Sequence, residues 1–424
     1  MEHVIIGAGP AGVIAAETLR KVAPSAKVTI VGDEKEPPYS RMALPYYLIE
    51  KIDEKGTYLR KNGSHFQDTG INLIQDRVTS VDTRDKYLTL QKGGSVKYDR
   101  LLIATGSHPI SPPIPGIDLP GVYPCWTLED GRNIANKAKQ GSDVVLMGAG
   151  FIGCIILEAL AERGVNLTVI EMGDRMVPRM MNQTAGNLIK KWCQEKGVTV
   201  HTSTKVEAIE KAGGLLKKGL KVKLSNGETI KADLVISATG VKSNIQFLEG
   251  SGLETDEGIL VNEYLQTNIP DIYAAGDVCQ GMDFSTGEYS VQAIQPTAAD
   301  HGRIAAMNMA GKKTRHQGSV NMNVLDTMGL ISSSYGLWMG VKGGDSVELN
   351  DPERYRYLSL QFEDDILVGA QSLGLTEHVG VLRGLIQTRL PLGKWKDQLM
   401  KDPTRIMEAY LGATQSIGHN AGII

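Results

Sequence analysis

The chain lacks the features that mark several whole classes of protein. Its 424 residues contain no run of about 18 apolar residues and no signal peptide ahead of the first motif, so we expect no membrane span and a cytoplasmic location. The formal net charge is only −3, a balance that favours no nucleic-acid role. With 42% hydrophobic residues, the chain is long enough for about three domains with large cores.

Cysteine is scarce, and its placement suits neither metal nor disulfide chemistry. The four cysteines, Cys125, Cys154, Cys193 and Cys279, have no pair spacing typical of a metal site or a redox disulfide. We therefore predict no metal and interpret these residues as small buried side chains. Cys154 is kept as a candidate for contact with a ligand, because it directly follows the last glycine of a motif.

That motif, G-x-G-x-x-G, occurs twice. Each copy follows a short apolar run and opens a segment with helical periodicity, the strand, turn and helix context in which the motif holds a dinucleotide pyrophosphate. Two complete copies make an ordinary glycine-rich turn an improbable explanation. The residues assigned to the two pyrophosphate sites are Gly7, Gly9, Pro10, Ala11 and Gly12 in the first copy, and Gly148, Gly150, Phe151, Ile152 and Gly153 in the second.

An acidic residue follows the second strand of each repeat. The apolar run ending at Gly32 is followed by Asp33 and Glu34, and the run ending at Ile170 is followed by Glu171. In a dinucleotide-binding fold such an acid accepts hydrogen bonds from the adenosine ribose, and both spacings fit that role. Because a carboxylate repels the 2′-phosphate of NADP, Glu171 predicts a preference for NAD.

Each repeat also closes in the same way. A buried-looking strand ends in Ala-Thr-Gly, at Ala104, Thr105 and Gly106 in the first repeat and at Ala238, Thr239 and Gly240 in the second. Between motif and closing strand, alternating stretches such as Lys221–Glu228, with its Asn-Gly turn, predict antiparallel meanders. The repeat is therefore a whole α/β domain with a Rossmann-like parallel sheet and an attached meander.

The sequence changes character beyond about residue 313, where the nucleotide motifs end. Alternation over Tyr355–Phe362 and again over Ile366–Gln371, separated by an acidic turn, predicts a strand hairpin. Apolar residues at helical spacing predict two helices, over about 376–389 and about 394–411. We expect a small C-terminal α+β domain.

Together these motifs resemble those of the two-dinucleotide-binding-domain flavoprotein reductases, the pyridine nucleotide-disulfide oxidoreductase-like family, over roughly residues 1–312. Thr267–Asp277 is similar to the family's second FAD-binding segment, and Gln295–Asp300 opens a helix whose N-terminus, in this family, points at the flavin. The resemblance implies FAD and NAD(H) as cofactors. Besides the residues of the first glycine motif, it assigns to the FAD site Val78, Gly276, Asp277, Pro296 and Thr297, with Asp277 on the ribityl chain. The two Ala-Thr-Gly tripeptides, Ala104–Gly106 and Ala238–Gly240, are also assigned to cofactor binding.

The segment Pro38–Arg41 narrows the resemblance to one branch. Its Pro-Tyr-x-Arg pattern is similar to that of rubredoxin reductases, ferredoxin reductases and the flavin region of nitrite reductases, which implies that Arg41 contacts FAD. The surrounding stretch Glu36–Tyr47 contains no cysteine. Disulfide reductases, coenzyme A disulfide reductases, and NADH oxidases and peroxidases of this fold place their reactive cysteine there, so thiol chemistry at that position is not expected.

Two positions depart from the family pattern. Tyr46 stands where ferredoxin reductases have a lysine near the flavin, and Ile155 stands where most members have a glutamate near the nicotinamide. With Cys154, these residues are the candidates for the nicotinamide surroundings. No catalytic side chain is assigned, because hydride transfer to a flavin depends mainly on stacking geometry and distance.

The resemblance implies an FAD-binding domain from 1–110 and 241–312, an NAD-binding domain from 111–240 and a C-terminal interface or dimerisation domain from 313–424. The expected activity is hydride transfer from NADH to FAD, followed by electron transfer to an iron-sulfur or rubredoxin-type protein. Three alternatives stay open: a flavin subunit of a larger iron-sulfur metalloenzyme, an NADH oxidase, and a nucleotide-sensing assembly module. A homodimer is a further expectation.

Overall fold

The structure, a computed structural model, describes residues 1–212 and 219–421. In chain order the helices are α1 Pro10–Val22, α2 Leu44–Leu48, α3 Glu54–Thr57, α4 His65–Asp68, α5 Leu128–Lys137, α6 Phe151–Glu162, α7 Gln183–Glu195, α8 Gln295–Met309, α9 Val379–Thr388, α10 Lys394–Lys401 and α11 Ile406–Ala421. Short 3₁₀ turns occupy Arg41–Ala43, Gln246–Leu248 and Gly276–Val278.

The strands run through both repeats and the C-terminal part of the chain. They are β1 Glu2–Ile6, β2 Lys27–Gly32, β3 Ile71–Gln75, β4 Val78–Asp82, β5 Tyr87–Leu90, β6 Ser95–Lys97, β7 Arg100–Ile103, β8 Ser107–Pro109, β9 Val122–Pro124, β10 Asp143–Met147, β11 Asn166–Ile170, β12 Thr199–His201, β13 Val206–Lys211, β14 Leu220–Leu224, β15 Thr229–Ala232, β16 Leu234–Ser237, β17 Val241–Ser243, β18 Ile259–Leu260, β19 Ile272–Ala274, β20 Cys279–Met282, β21 Tyr289–Val291, β22 Met322–Thr327, β23 Leu330–Gly336, β24 Asp345–Asp351, β25 Arg356–Glu363 and β26 Ile366–Leu373.

The chain divides into two compact units. The first contains Met1–Ile110 and Val241–Ser319, and the second contains Ser111–Gly240 and Val320–Ile424. The finer division into three domains stays a prediction. Within the described residues, no helix combines the length and apolar character needed to cross a bilayer.

The first unit is built on a parallel sheet in the order β19-β7-β1-β2-β3. The central strand β1 is almost completely buried, with β2 and β7 as its parallel neighbours. Helix α1 packs tightly on α8, since a Cβ at Gly302 would lie 2.3 Å from the Ala11 carbonyl oxygen. This close approach requires glycine and places the beginning of α1 beside α8.

The second unit repeats this plan in the order β12-β11-β10-β16-β9, again parallel throughout. Strand β10 lies between β11 and β16 as β1 lies between β2 and β7. Each repeat carries an antiparallel meander, β4-β5-β6 in the first and β13-β14-β15 in the second. The predicted fold class, two Rossmann-like repeats with meanders, is confirmed.

The second unit also contains a five-stranded antiparallel sheet in the order β22-β23-β26-β25-β24, with α9, α10 and α11 contributing to its core. The predicted hairpin is present as β25 and β26. A single helix over 394–411 is wrong, because α10 ends at Lys401 and α11 begins at Ile406. Pro403 cannot donate a backbone hydrogen bond, and the Asp402 carboxylate accepts the Thr404 N–H at 3.0 Å, which replaces helix continuation by a turn.

Candidate dinucleotide sites

The first glycine motif forms the turn between β1 and α1. Gly7 has φ +111°, and a Cβ there would lie 2.1 Å from the Ala104 carbonyl oxygen. A Cβ at Gly12 would lie 2.0 Å from the Gly7 carbonyl oxygen, whereas one at Gly9 would meet nothing within 4 Å. Gly7 and Gly12 are therefore required by packing, and Gly9 leaves an open surface at the beginning of α1.

The second motif, between β10 and α6, repeats this geometry. Gly148 has φ +96°, and its Cβ would lie 2.5 Å from the Ala238 carbonyl oxygen. The Cβ of a residue replacing Gly153 would lie 2.1 Å from the Gly148 carbonyl oxygen, and Gly150 again faces open space. The Ala-Thr-Gly tripeptides thus support the glycine turns in both repeats.

Helices α1, α6 and α8, which begin at the predicted cofactor sites, have no side-chain cap within the described residues, whereas Thr127 caps α5 and Asn182 caps α7. The first N–H groups of an uncapped helix are free to bind an anion, and the helix dipole adds to the attraction. With the open surfaces at Gly9 and Gly150, α1 and α6 fit the pyrophosphates of two dinucleotides.

Helix α8 begins beside the Gly-Asp segment of the first unit. Its first turn contains Pro296 and the buried Thr297. Gly276 has φ +77°, and a Cβ there would lie 3.2 Å from the Ala11 Cβ and 3.5 Å from the Ala298 Cβ. The structure therefore brings the beginnings of α1 and α8 and the turn before Asp277 together, as an FAD site requires.

Asp277 is held from two sides within the first unit. The Ser107 hydroxyl donates to its Oδ2 at 2.9 Å, and the Ser243 hydroxyl donates to its backbone carbonyl at 3.1 Å. Burial raises the pKa of the Asp277 carboxyl, against the Ser107 hydrogen bond and the charge of Arg41, which lower it. A buried carboxylate with remaining acceptor capacity suits a ligand hydroxyl.

The sequence did not reveal the role of Asn244, whose hydrogen bonds connect the segments around β8 and β17 beside Asp277. Asn244 Nδ2 donates to the Thr105 carbonyl at 2.8 Å, and the Thr105 hydroxyl donates to the Asn244 carbonyl at 3.0 Å. His108 Nδ1 lies 2.6 Å from Asn244 Oδ1. These bonds join β8 to β17, which follow the two Ala-Thr-Gly tripeptides, and they fix Ser107 opposite Asp277.

Asp33 and Glu34 of the first repeat do not occupy the backbone position that Glu171 occupies in the second. The Gly7 N–H donates to the Val31 carbonyl and the Gly148 N–H donates to the Ile170 carbonyl, each at 2.8 Å, so Gly32 matches Glu171. In the first repeat the acids therefore lie one and two positions later.

Both of those acids carry partners. Asp33 pairs with Arg77 Nη2 at 2.8 Å. Glu34 Oε1 pairs with Arg41 Nη2 at 2.6 Å, and its Oε2 accepts the Tyr39 hydroxyl. Arg41 Nη1 in turn donates to the Tyr39 hydroxyl oxygen at 2.8 Å. The Pro-Tyr-x-Arg segment is thus tied to the acid predicted to bind the ribose.

Val78 lies at the beginning of β4, where its side chain packs in the hydrophobic core of the first unit. A β-bulge follows it, between Val78 and Ser80.

Glu171 is buried and already bonded to the second motif. Its Oε2 accepts the Ala149 N–H and its Oε1 accepts the Gly173 N–H, both at 2.6 Å. Each carboxylate oxygen has a further lone pair, so ribose hydroxyls can still be accepted. Arg175 Nε donates to the Met181 carbonyl at 2.8 Å, which makes Arg175 a support for this loop.

The three candidates near the nicotinamide have different environments. Cys154 is fully buried, its thiol donates to the Ala149 carbonyl at 3.5 Å, and burial holds its pKa well above the usual range. Ile155 is half-buried on α6 of the same unit. Tyr46 is 55% exposed on α2 of the first unit. Cys154 therefore faces the interior beneath the glycine turn.

All four cysteines are buried and free, as predicted. Burial raises the pKa of Cys125, Cys193 and Cys279 to about 12. Since the thiolate is the reactive form, burial disfavours nucleophilic reaction of these thiols at neutral pH. Among the described residues, no group of histidine, cysteine and acidic side chains is arranged to hold a metal.

Residues 1–302 match the protein family described as pyridine nucleotide-disulphide oxidoreductase. This chain belongs to that family. Its family membership was predicted from the motifs and is confirmed. The protein is an oxidoreductase that uses NAD(H) and FAD.

Individual relatives match from about three quarters to nearly all of the chain. It is 29% identical over 416 residues to the epsilon subunit of NADH-dependent phenylglyoxylate dehydrogenase from Aromatoleum evansii, covering 97% of this chain and 98% of the relative. It is 32% identical to an NADH oxidase from Methanocaldococcus jannaschii, covering 76% and 73% of the two chains. The crystal structure of a ferredoxin reductase from Rhodopseudomonas palustris superposes with a TM-score of 0.80 at 27% identity, covering 88% of this chain and 91% of that one. The chain is thus similar in sequence to a subunit of an NADH-dependent dehydrogenase and to an NADH oxidase, and similar in fold to a ferredoxin reductase.

Proposed function

We propose that this oxidoreductase takes a hydride from NADH and passes electrons through FAD directly to an iron-sulfur or rubredoxin-type protein. The observation that carries the proposal is the state of the four cysteines, all of which are buried and free. A thiol relay needs an accessible thiolate beside the flavin. Because no cysteine here meets that condition, electrons leave the flavin without a disulfide intermediate.

The assignment of residues to the two cofactors is part of the proposal. The N-terminus of α1 and the open face at Gly9 hold the FAD pyrophosphate, Asp277 accepts a ribityl hydroxyl, and the beginning of α8 faces the flavin. The N-terminus of α6, Gly150 and Glu171 hold NADH in the same manner. Bound FAD supplies the conversion between a two-electron hydride donor and one-electron acceptors, which is the chemistry an iron-sulfur partner requires.

The relatives support this acceptor class. A solved ferredoxin reductase shares the fold over most of both chains. The Pro-Tyr-x-Arg segment, tied through Arg41 to Glu34, takes the place where other branches carry a reactive cysteine. A protein without a reactive thiol in that place must use an acceptor that contacts the flavin edge itself.

An anaerobic titration of the purified flavoprotein tests the absence of a thiol relay. A single equivalent of NADH per FAD should bleach the visible flavin band completely, whereas a flavin coupled to a redox disulfide requires a second equivalent. The matched control is the same titration of protein that was first reduced with NADH, alkylated and reoxidised, and it should be unchanged. Consumption of two equivalents, or loss of electron capacity on alkylation, contradicts the proposal.

The acceptor is tested in a second assay. With excess NADH, the enzyme should reduce cytochrome c rapidly only when a ferredoxin or rubredoxin is added. Turnover with oxygen alone at the same rate favours an NADH oxidase, a function named for one relative. Failure of NADH and NADPH to bleach the flavin favours the nucleotide-sensing module instead.

A second candidate function is a flavin subunit of a larger iron-sulfur metalloenzyme. It is favoured by the relative that matches this chain almost from end to end, which is itself the epsilon subunit of an NADH-dependent dehydrogenase. Purification from the native source distinguishes the two: a stable iron-sulfur partner at fixed stoichiometry indicates a subunit, and a homodimer or monomer indicates a free-standing reductase. A cytoplasmic location is also proposed and is tested by cell fractionation.

A further inference from the structure

The antiparallel sheet of the second unit is bonded to the loop that carries Glu171. This 171–182 loop runs from the end of β11 to the N-cap of α7. Gln371, on β26, is fully buried, and its Nε2 donates to the Met180 carbonyl at 3.1 Å. Its Oε1 accepts the Asn182 N–H at 3.4 Å, so the Gln371 side chain hydrogen-bonds both to a carbonyl and to an N–H of the loop.

A second contact reinforces this end of the loop. Asn182 Nδ2 donates to the Tyr357 hydroxyl at 2.5 Å, and that hydroxyl donates to Glu348 Oε1 at 2.6 Å. Tyr357 is fully buried on β25, the strand beside β26. Asn182 also accepts the Ala185 N–H at 3.0 Å as the cap of α7. The end of the 171–182 loop is therefore fixed by side chains of the antiparallel sheet.

The opposite part of the loop is fixed to the second glycine motif. The Val177 N–H donates to the Ala149 carbonyl at 2.8 Å, and the Ala149 N–H donates to Glu171 Oε2 at 2.6 Å. Val177 has φ +43°, a left-handed conformation that β-branched residues rarely adopt. Such a conformation persists only when surrounding contacts impose it. The hydrogen bond from Gln371 to the Met180 carbonyl, three residues away, is one of these contacts.

Gln371 differs from the buried serines Ser332, Ser333 and Ser334 of the adjacent strand β23. The hydroxyls of Ser333 and Ser334 have no hydrogen-bond partner within the described part of the chain, and Ser332 bonds to the Leu325 carbonyl of the adjacent strand. Gln371 instead directs both ends of its amide at one loop of the nucleotide-binding repeat. Packing of the sheet alone does not require this arrangement.

We propose that Gln371 is a positioning residue for the nucleotide site, which holds the 171–182 loop in the conformation where Glu171 can accept the ribose hydroxyls of NADH. The inference rests on the proposed assignment of Glu171 to the ribose. If Gln371 holds this loop, the antiparallel sheet contributes to nucleotide binding, although it contains no glycine motif. Gln371 acts through the loop and touches no reacting atom.

The test compares the flavin-loaded variants Gln371→Met and Ser332→Ala with the native enzyme. Methionine keeps the volume of glutamine but leaves the Met180 carbonyl and the Asn182 N–H unpaired. We expect the KM for NADH to rise about fivefold to tenfold, with kcat at saturating NADH changed less than about twofold. Ser332→Ala, which removes a bond internal to the sheet, should leave both constants and the FAD content unchanged.

Limited proteolysis measures the accessibility of the 171–182 loop directly and does not depend on turnover. Arg179 is exposed and lies next to Met180. In the absence of nucleotide, trypsin should cut after Arg179 several times faster in Gln371→Met than in Ser332→Ala, while cleavage in the first unit stays the same. NADH should protect this bond in the native enzyme, at concentrations that follow its dissociation constant.

An unchanged KM together with an unchanged cutting rate after Arg179 overturns the inference, as does acceleration of cutting throughout the chain. If Gln371→Met does not fold, Tyr357→Phe removes only the hydroxyl that Asn182 contacts, and it should produce the same two changes in smaller measure. Failure of the native enzyme to bind NADH would instead refute the proposed nucleotide site. The cutting rate without nucleotide would still decide whether Gln371 holds the loop.

Discussion

Replacing Asp277 by asparagine separates what this residue does for the fold from what it does for FAD. The carboxyl is buried and its pKa is raised chiefly by that burial. A raised pKa means that the charged form is less favourable in the folded protein than in the unfolded chain. Asp277 therefore opposes folding above its folded pKa, and this cost is relieved as the pH falls through that value.

The variant keeps the neutral contacts. Asparagine has the same shape, and its Oδ1 can accept the Ser107 hydroxyl that now donates at 2.9 Å. Without the charge, the apoprotein should be as stable as the native apoprotein or more so. A ribityl hydroxyl, however, loses a charged acceptor, and hydrogen bonds to charged groups exceed neutral ones by roughly 1 kcal/mol. FAD should consequently bind about fivefold to tenfold more weakly.

Two measurements check these expectations together. Flavin retention is measured by fluorescence of released FAD after dilution, and apoprotein stability is measured by urea unfolding at a series of pH values from 8 downward. The native apoprotein should gain stability relative to Asp277→Asn as the pH falls through the raised pKa of Asp277, because protonation removes the buried charge. A variant that keeps its full flavin at low enzyme concentration refutes the assignment of Asp277 to FAD.

Three further predictions follow from the glycine turns and the second acid. Gly9→Ala should leave the free energy of unfolding of the apoprotein within about 0.5 kcal/mol of native and should lower FAD retention. Gly12→Ala should prevent folding, because its Cβ would lie 2.0 Å from the Gly7 carbonyl oxygen. Equal urea midpoints for the two variants would contradict this difference. Glu171→Arg should lower the ratio of kcat/KM for NADH to that for NADPH, and an unchanged ratio removes Glu171 from the ribose site. Glu171→Gln should destabilise the unit by about 1–3 kcal/mol in thermal unfolding, because an amide cannot accept both the Ala149 and the Gly173 N–H.

The elements that local chemistry specifies were predictable from sequence. The glycine turns require residues without a side chain at fixed spacing, so both were found. The proline in the first turn of α8 marked a helix that begins at Gln295, as predicted. The same local rule would have corrected the C-terminal helix. Apolar periodicity continues across Pro403, but a proline at that point breaks the helix whatever the periodicity of its neighbours.

Contacts between distant parts of the chain could not be predicted in this way. Ser107 and Asp277 are 170 residues apart, and Gln371 and Met180 are 191 residues apart, so no window of sequence contains both partners. A serine after an Ala-Thr-Gly turn and a glutamine within a strand have no distinctive local pattern. Their significance depends on which strand ends the fold brings together, and that is decided by sheet topology.

The register difference between the two acids shows how this limit affects function. By sequence spacing, Asp33 or Glu34 and Glu171 fill one role, yet backbone pairing matches Glu171 with Gly32. A side chain at Gly32 would meet the Ala8 Cβ at 2.9 Å, whereas Glu171 extends to the Ala149 N–H from the matching position. In the first repeat the acid Glu34 lies two positions later and pairs with Arg41, whereas in the second repeat Glu171 is bonded directly to the glycine turn. Two copies of one motif therefore present different carboxylate environments.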